Sequence, residues 1–157
     1  MSKKVVLAFS GGLDTSFCVP YLKEQGYEVH TVMVNTGGFS AEEEKAIEER
    51  AMKLGAASHK NVNAVNTYYE KGIRYLIYGN ILKNATYPLS VSSERVFQAL
   101  EVLKQVKAIG ADAVAHGSTG AGNDQVRFDI VFEILAPSVE IIAPVREHGF
   151  TRQYEID

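Results

Sequence analysis

The chain has 157 residues, of which 46% are hydrophobic and 22% charged, with a net charge of -3; this is the make-up of one soluble globular domain able to bury a core, and it excludes a disordered or low-complexity protein. The charges are scattered, with no basic field, so no nucleic-acid partner is expected, and no apolar stretch reads as a membrane span or signal peptide. Cys18 is the only cysteine, which permits neither an internal disulfide nor a paired-cysteine zinc site and points to a reducing, cytoplasmic compartment.

The first chemical signal comes at once. Val5 to Ser16 reads VVLAFSGGLDTS, an apolar run that breaks into two glycines before Asp14, Thr15 and Ser16 open a helix. Strand, tight loop and helix N-terminus in that order form phosphate-binding architecture. Without Cβ atoms, Gly11 and Gly12 let the backbone approach an anion, and the helix-start N–H groups and the hydroxyls of Ser10, Thr15 and Ser16 can donate to phosphate oxygens. The loop has neither the lysine of G-x-x-x-x-G-K-[ST] nor the spacing of G-x-G-x-x-G. It resembles the SGGxDS-type loop of the ATP pyrophosphatases, which cleave ATP between the α- and β-phosphates; the plainer alternative is a glycine-rich turn that binds nothing.

The first helix is expected over residues 15–25, ended by Gly26, with a distortion near Pro20. Cys18, between Phe17 and Val19, reads as a small buried hydrophobe. Residues 27–35 form a second buried strand with an irregular exit through Thr36, Gly37 and Gly38, which makes the backbone at Val34 a candidate adenine contact. His30 reads as an ordinary strand residue. Ser40 and Glu43 form a capping box for a helix whose apolar face is Ala46, Ile47, Ala51 and Leu54; Glu42, Glu43 and Glu44 read as a solvated first turn. A short third strand is expected near residues 59–62, where His59 is too isolated to argue for a metal. Asn66 or Thr67 can cap the next helix, whose stripe of Tyr68, Tyr69, Ile73, Leu76 and Ile77 reads as core.

Residues 87–95, YPLSVSSER, form a hydroxyl-rich loop running into a helix near Ser92. That helix start could hold a carboxylate with help from Arg95, or it could be simple capping beside an exposed arginine. Val96, Leu100, Leu103 and Val106 mark an amphipathic helix closed by Gly110, and a short strand over residues 112–115 runs into His116-Gly-Ser-Thr-Gly-Ala-Gly-Asn-Asp-Gln-Val-Arg127. If Asn123 begins a helix, Asn123 and Arg127 share a face and Asp124 points to a neighbouring one. Arg127 suits a planar carboxylate and Asp124 an ammonium group, together the needs of an amino acid; the alternative is a surface pair at i, i+3. His116 is either a general base or a histidine satisfied by its backbone surroundings. The helix continues to Leu135, residues 139–143 form a last strand, and the polar run 146–157 has no evident counterpart to pack against.

Five apolar strands alternating with helices argue an α/β fold, a parallel sheet with right-handed crossovers and helices on both faces; with the resemblance to the ATP pyrophosphatases, the expected form is a five-stranded, Rossmann-like sheet of the adenine nucleotide alpha hydrolase type in the order 3-2-1-4-5. In that order the loops after strands one and four flank one crevice. AFSGGLDTS, YPLSVSSER, HGSTGAGNDQVRF and LAPSVEIIAPVRE, in this sequence, resemble the N-terminal part of the argininosuccinate synthase family over essentially the whole chain. The resemblance implies that citrulline and aspartate are joined through a citrullyl-adenylate at the expense of MgATP. It further implies that Ala8, Phe9, Ser10, Gly11, Gly12, Leu13, Asp14, Thr15 and Ser16 line ATP, with backbone from Val34 and Gly117. Tyr87, Ser92, Asn123 and Arg127 would hold citrulline, and Thr119, Asn123 and Asp124 would hold aspartate. Glu94 and Val96 depart from the small residue and proline that the family usually carries around the arginine. Family members run to roughly twice this length or more, with a second domain that completes the sites and a homotetramer, so the chain reads as a fragment. Two other readings stay open: a tRNA thiolase, which needs a cysteine pair and a basic face, and a stand-alone ATP-binding module of the universal-stress type.

Overall fold

The computed structural model describes residues 2–150. In chain order, β1 (Lys4–Ala8), α1 (Leu13–Glu24), β2 (Glu28–Asn35), α2 (Ala41–Lys53) and β3 (Ser58–Asn63) are followed by a broken helix: α3 (Val65–Tyr68), a π-helical turn (Tyr69–Ile73) and α4 (Arg74–Tyr78). A small hairpin of β4 (Leu82–Lys83) and β5 (Tyr87–Pro88) leads into the long α5 (Ser90–Ile109), then β6 (Ala113–His116), α6 (Asp124–Leu135), β7 (Glu140–Ile142) and α7 (Pro144–His148). The main sheet is parallel throughout in the order β3-β2-β1-β6-β7, which is the expected 3-2-1-4-5 when the hairpin is set aside.

Alternation along the central strand decides the layers. Val5 and Leu7 pack with Cys18, Val19 and Leu22 of α1, Ile47 and Ala51 of α2 and Val145 of α7. Val6 faces the other way, onto Ala99, Val102, Leu103 and Val106 of α5 and Phe128, Val131 and Phe132 of α6. A strand covered on both faces must be apolar at every position, which is why Val5, Val6 and Leu7 read as an unbroken run. Cys18 is fully buried within this core, as its neighbours implied.

Several local expectations are refined. α1 begins at Leu13 and remains one helix through Pro20. The capping box is complete: Glu43 N donates to Ser40 Oγ at 3.3 Å and Ser40 N donates to Glu43 Oε2 at 2.8 Å. Glu44 is not a solvated first-turn acid, because Asn35 Nδ2 donates to its Oε1 at 2.6 Å and to the Phe39 carbonyl at 2.8 Å, tying the exit of β2 to α2. The helix after β3 starts earlier than Asn66, at Val65, whose N–H donates to Asn63 Oδ1 at 3.1 Å. Its aromatic stripe is only partly core: Tyr68 is buried against Phe97, whereas Tyr69 and Ile77 are 48% and 62% exposed. Helical spacing shows that a face is apolar and says nothing about what covers it.

The run after Pro144 does find a counterpart. It forms α7, which buries Val145; His148 Nε2 hydrogen-bonds Tyr21 Oη at 2.8 Å, and Phe150 meets the edge of Phe17. The rest of that run, residues 151–157, lies outside the described residues.

Candidate functional site

Register places the two glycine-rich loops together. Ala8 pairs with His116 at the ends of neighbouring strands, so Phe9 to Gly12 and Gly117 to Gly122 leave the sheet side by side. Their contact is close: a Cβ on Gly117 would lie 3.0 Å from Thr15 Cγ2 and 3.1 Å from Thr15 N, which reserves this position for glycine. Gly11 sits at φ +74, a left-handed conformation that only glycine adopts without cost.

Within the first loop, Gly12 is the N-cap of α1 and provides no side chain to cap it. The first-turn N–H groups therefore keep the donor capacity that attracts an anion. Thr15 Oγ1 donates to the Gly12 carbonyl at 3.2 Å, Ser10 Oγ lies 3.2 Å from Thr15 Oγ1, and Gly12 N reaches Ser10 Oγ at a long 3.4 Å. Ser16 Oγ is buried with no hydrogen-bond partner among the described residues, an orphaned donor in the turn where a phosphate is expected.

Above the loops opens a cleft of about 860 Å³, within the size range of sites for nucleotide-sized molecules. Its walls include Ala8, Phe9, Ser10, Gly12, Leu13, Asp14 and Thr15 from the first loop, Val34 from β2, and Gly117, Thr119 and Asp124 from the second. Those eleven sequence candidates are brought to one place. Gly11, Ser16, Tyr87, Ser92, Asn123 and Arg127 are not on the cleft lining. Of these, Ser92 and Arg127 are joined to it through Asp124: Arg127 donates from Nη1 to Asp124 Oδ1 at 2.7 Å and from Nη2 to Ser92 Oγ at 2.9 Å. Asn123 is the N-cap of α6, and Tyr87 lies on the hairpin, 47% exposed.

The charged cluster corrects one expectation. Asp124 does not point away from Arg127; the two form an i, i+3 pair, and Arg95 Nε from α5 donates to Asp124 Oδ2 at 3.2 Å. The pair is more than surface decoration, since Arg95 and Arg127 are only 28% and 23% exposed in their side chains. Arg95 is accordingly not an exposed arginine beside a cap. Glu94 and Gln98, also on the lining, were missed by sequence reasoning: Thr36 Oγ1 donates to Glu94 Oε1 at 2.5 Å, and Arg95 Nη1 donates to Gln98 Oε1 at 3.0 Å. Glu94, Arg95 and Gln98 fall within about one turn near the start of α5, with 94 and 98 at i, i+4, and that polar cluster was the available signal. Among the described residues, Arg95 is the one fixed cation on a lining that also carries the carboxylates of Asp14, Glu94 and Asp124.

His116 is 1% exposed and uses both ring nitrogens. Ser118 N donates to Nδ1 at 3.3 Å, which leaves Nε2 to donate to Asp129 Oδ1 at 2.9 Å, while Arg146 holds the other Asp129 oxygen. Burial lowers the imidazole pKa, against the opposing pull of Asp129, which favours the neutral ring. It anchors the second loop and has no lone pair left for general-base work. Among the described residues, no group of three or more His, Cys, Asp or Glu is placed to hold a metal ion.

The family model described as "Arginosuccinate synthase N-terminal HUP domain" matches residues 4–157. The argininosuccinate synthase of Xanthomonas campestris pv. campestris is 48% identical over 158 aligned residues, covering 98% of this chain and 39% of its own. That of Pyrobaculum aerophilum is 45% identical, covering 99% of this chain and 39% of its own. The chain thus spans about 39% of the length of these relatives. Among solved structures, a 4-thiouridine synthetase–RNA complex with bound ATP superposes with a TM-score of 0.73 at 18% identity, over 98% of this chain and 39% of the other; a likeness at that identity is one of fold.

Proposed function

The chain belongs to the argininosuccinate synthase family, and from that premise we propose that it is the nucleotide-binding domain of an enzyme that joins citrulline to aspartate at the expense of ATP. The observation that carries this reading is the meeting, in one cleft, of an uncapped phosphate loop with a carboxylate–guanidinium cluster of the kind an amino acid requires.

In this reading the triphosphate lies on the loop from Ser10 to Ser16, with adenine against the backbone at Val34 and the α-phosphate near Gly117. Arg127 and Ser92, already paired, receive the citrulline carboxylate with Asn123 and Tyr87. Asp124 takes the ammonium group of aspartate, and Asn123 and Thr119 orient it. Among the described residues no cluster is placed to hold a metal ion, so Mg2+ would come bound to the triphosphate and would lessen its repulsion by Asp14, Glu94 and Asp124. The ureido oxygen of citrulline forms a bond to the α-phosphorus while the bond to the β-phosphate oxygen breaks, releasing pyrophosphate. The aspartate ammonium gives up a proton to solvent, the resulting amine bonds to the ureido carbon, and AMP leaves with the former ureido oxygen. Neither step needs a side-chain nucleophile, which fits a site whose one buried histidine is committed to structure.

The reading extends to a longer cytoplasmic homotetramer in which a further domain completes both amino acid sites. Its direct test is product analysis: the complete protein, given ATP, citrulline and aspartate, should release AMP and pyrophosphate in equal amounts with argininosuccinate. ADP and phosphate as products would rule out cleavage between the α- and β-phosphates.

A further inference from the structure

Two residues on α2 touch the phosphate loop from outside the cleft. A Cβ on Gly11 would lie 2.9 Å from Ile47 Cγ1, so the helix packs directly beneath the loop. Arg50, three residues further along and on the same helical face, donates from Nη1 to the Gly11 carbonyl oxygen. Neither Ile47 nor Arg50 belongs to the cleft lining. Resting on the nucleotide reading above, we infer that Arg50 is a positioning residue for phosphate binding, which fixes the Gly11–Gly12 peptide so that the Gly12 N–H faces the bound phosphates.

The physical step is the planarity of the peptide unit. There are no cis peptide bonds among the described residues, and in a trans unit the C=O and the following N–H point in opposite directions. Drawing the Gly11 oxygen onto a guanidinium on the α2 side therefore aims the Gly12 N–H at the other side, into the cleft. There it meets Ser10 Oγ at 3.4 Å, a weak bond that a phosphate oxygen can replace. The need for an external clamp follows from the sequence. A peptide between two glycines has no side chain on either flank to restrict its rotation, and a flipped unit would present a carbonyl dipole to the phosphates. A charge-assisted bond to the carbonyl selects the productive orientation. α2 can act as a fixed post because Ser40 and Glu43 lock its first turn and Asn35 ties Glu44 to the end of β2.

Titration of the complete protein with ATP and, separately, with adenosine tests the assignment, using wild type, Arg50→Met and Arg50→Lys. Arg50→Met should weaken ATP binding about tenfold and leave adenosine, which has no phosphates, within about twofold. Arg50→Lys keeps a cationic donor and should recover most of the ATP affinity. Equal losses for both ligands would make Arg50 a merely structural residue, and an unchanged ATP affinity in Arg50→Met would remove its role; either result overturns the inference while leaving the nucleotide reading intact. A wild-type protein that binds no ATP overturns the nucleotide reading, and the role of Arg50 with it.

Discussion

Replacing Asp124 by alanine is expected to raise the aspartate concentration needed for half-maximal rate by about a hundredfold, the loss of one charge-assisted contact to an ammonium group in a partly buried site. Adenylation of citrulline, followed as citrulline-dependent pyrophosphate release without aspartate, should change far less. The structure adds a complication, because Asp124 also holds Arg127 and Arg95. Alanine frees both guanidiniums, so some citrulline effect is built in. Asp124→Asn separates the two roles: its amide oxygen can still accept from Arg127, but the charge that draws the ammonium is gone. Both variants should therefore share the aspartate defect, and only the alanine should disturb citrulline. Steady-state KM values for the two amino acids decide it, and equal losses for both substrates in Asp124→Asn would contradict the assignment.

Gly117→Val is expected to abolish nucleotide binding within the measurable range. The added Cβ lands 3.0 Å from Thr15 Cγ2, 3.1 Å from Thr15 N and 3.2 Å from the Asp14 carbonyl carbon. Two of these are backbone atoms at the start of α1 and cannot rotate away. Relief must come from moving one loop off the other, which opens the cleft at the point where both supply donors. Overpacking of this kind costs about 1–3 kcal/mol of stability, so the melting temperature should fall while the domain still folds. Calorimetric titration with ATP checks it; near-normal affinity would show that the two loops need not touch to form the site.

What the sequence made legible was local. The apolar run, glycine pair and hydroxyl-bearing helix start that form the first loop are contiguous, and the alternation of strands with amphipathic helices was enough for a parallel α/β sheet. The Arg95–Asp124 contact could not be read in the same way, since the residues are 29 positions apart on two helices and meet only through the packing of α5 on α6. His116 was undecidable for a similar reason: Asp129 and Arg146, which set its state, arrive from α6 and α7. The stripe on α3 and α4 was assigned to the core because periodicity marks an apolar face without identifying its cover, and Tyr69 and Ile77 are in fact exposed. Cys18 illustrates the opposite case, where two apolar neighbours sufficed. Its complete burial also speaks against sulfur-transfer chemistry in this chain, despite the shared fold with a thiouridine synthetase.

In the proposed reaction the cleft activates citrulline by adenylation. Exchange of labelled pyrophosphate into ATP by the complete protein measures that step alone, because aspartate is left out. Exchange that appears only when citrulline is added, and that is lost in Gly117→Val, is the predicted result. Exchange that proceeds equally well without citrulline would contradict the account.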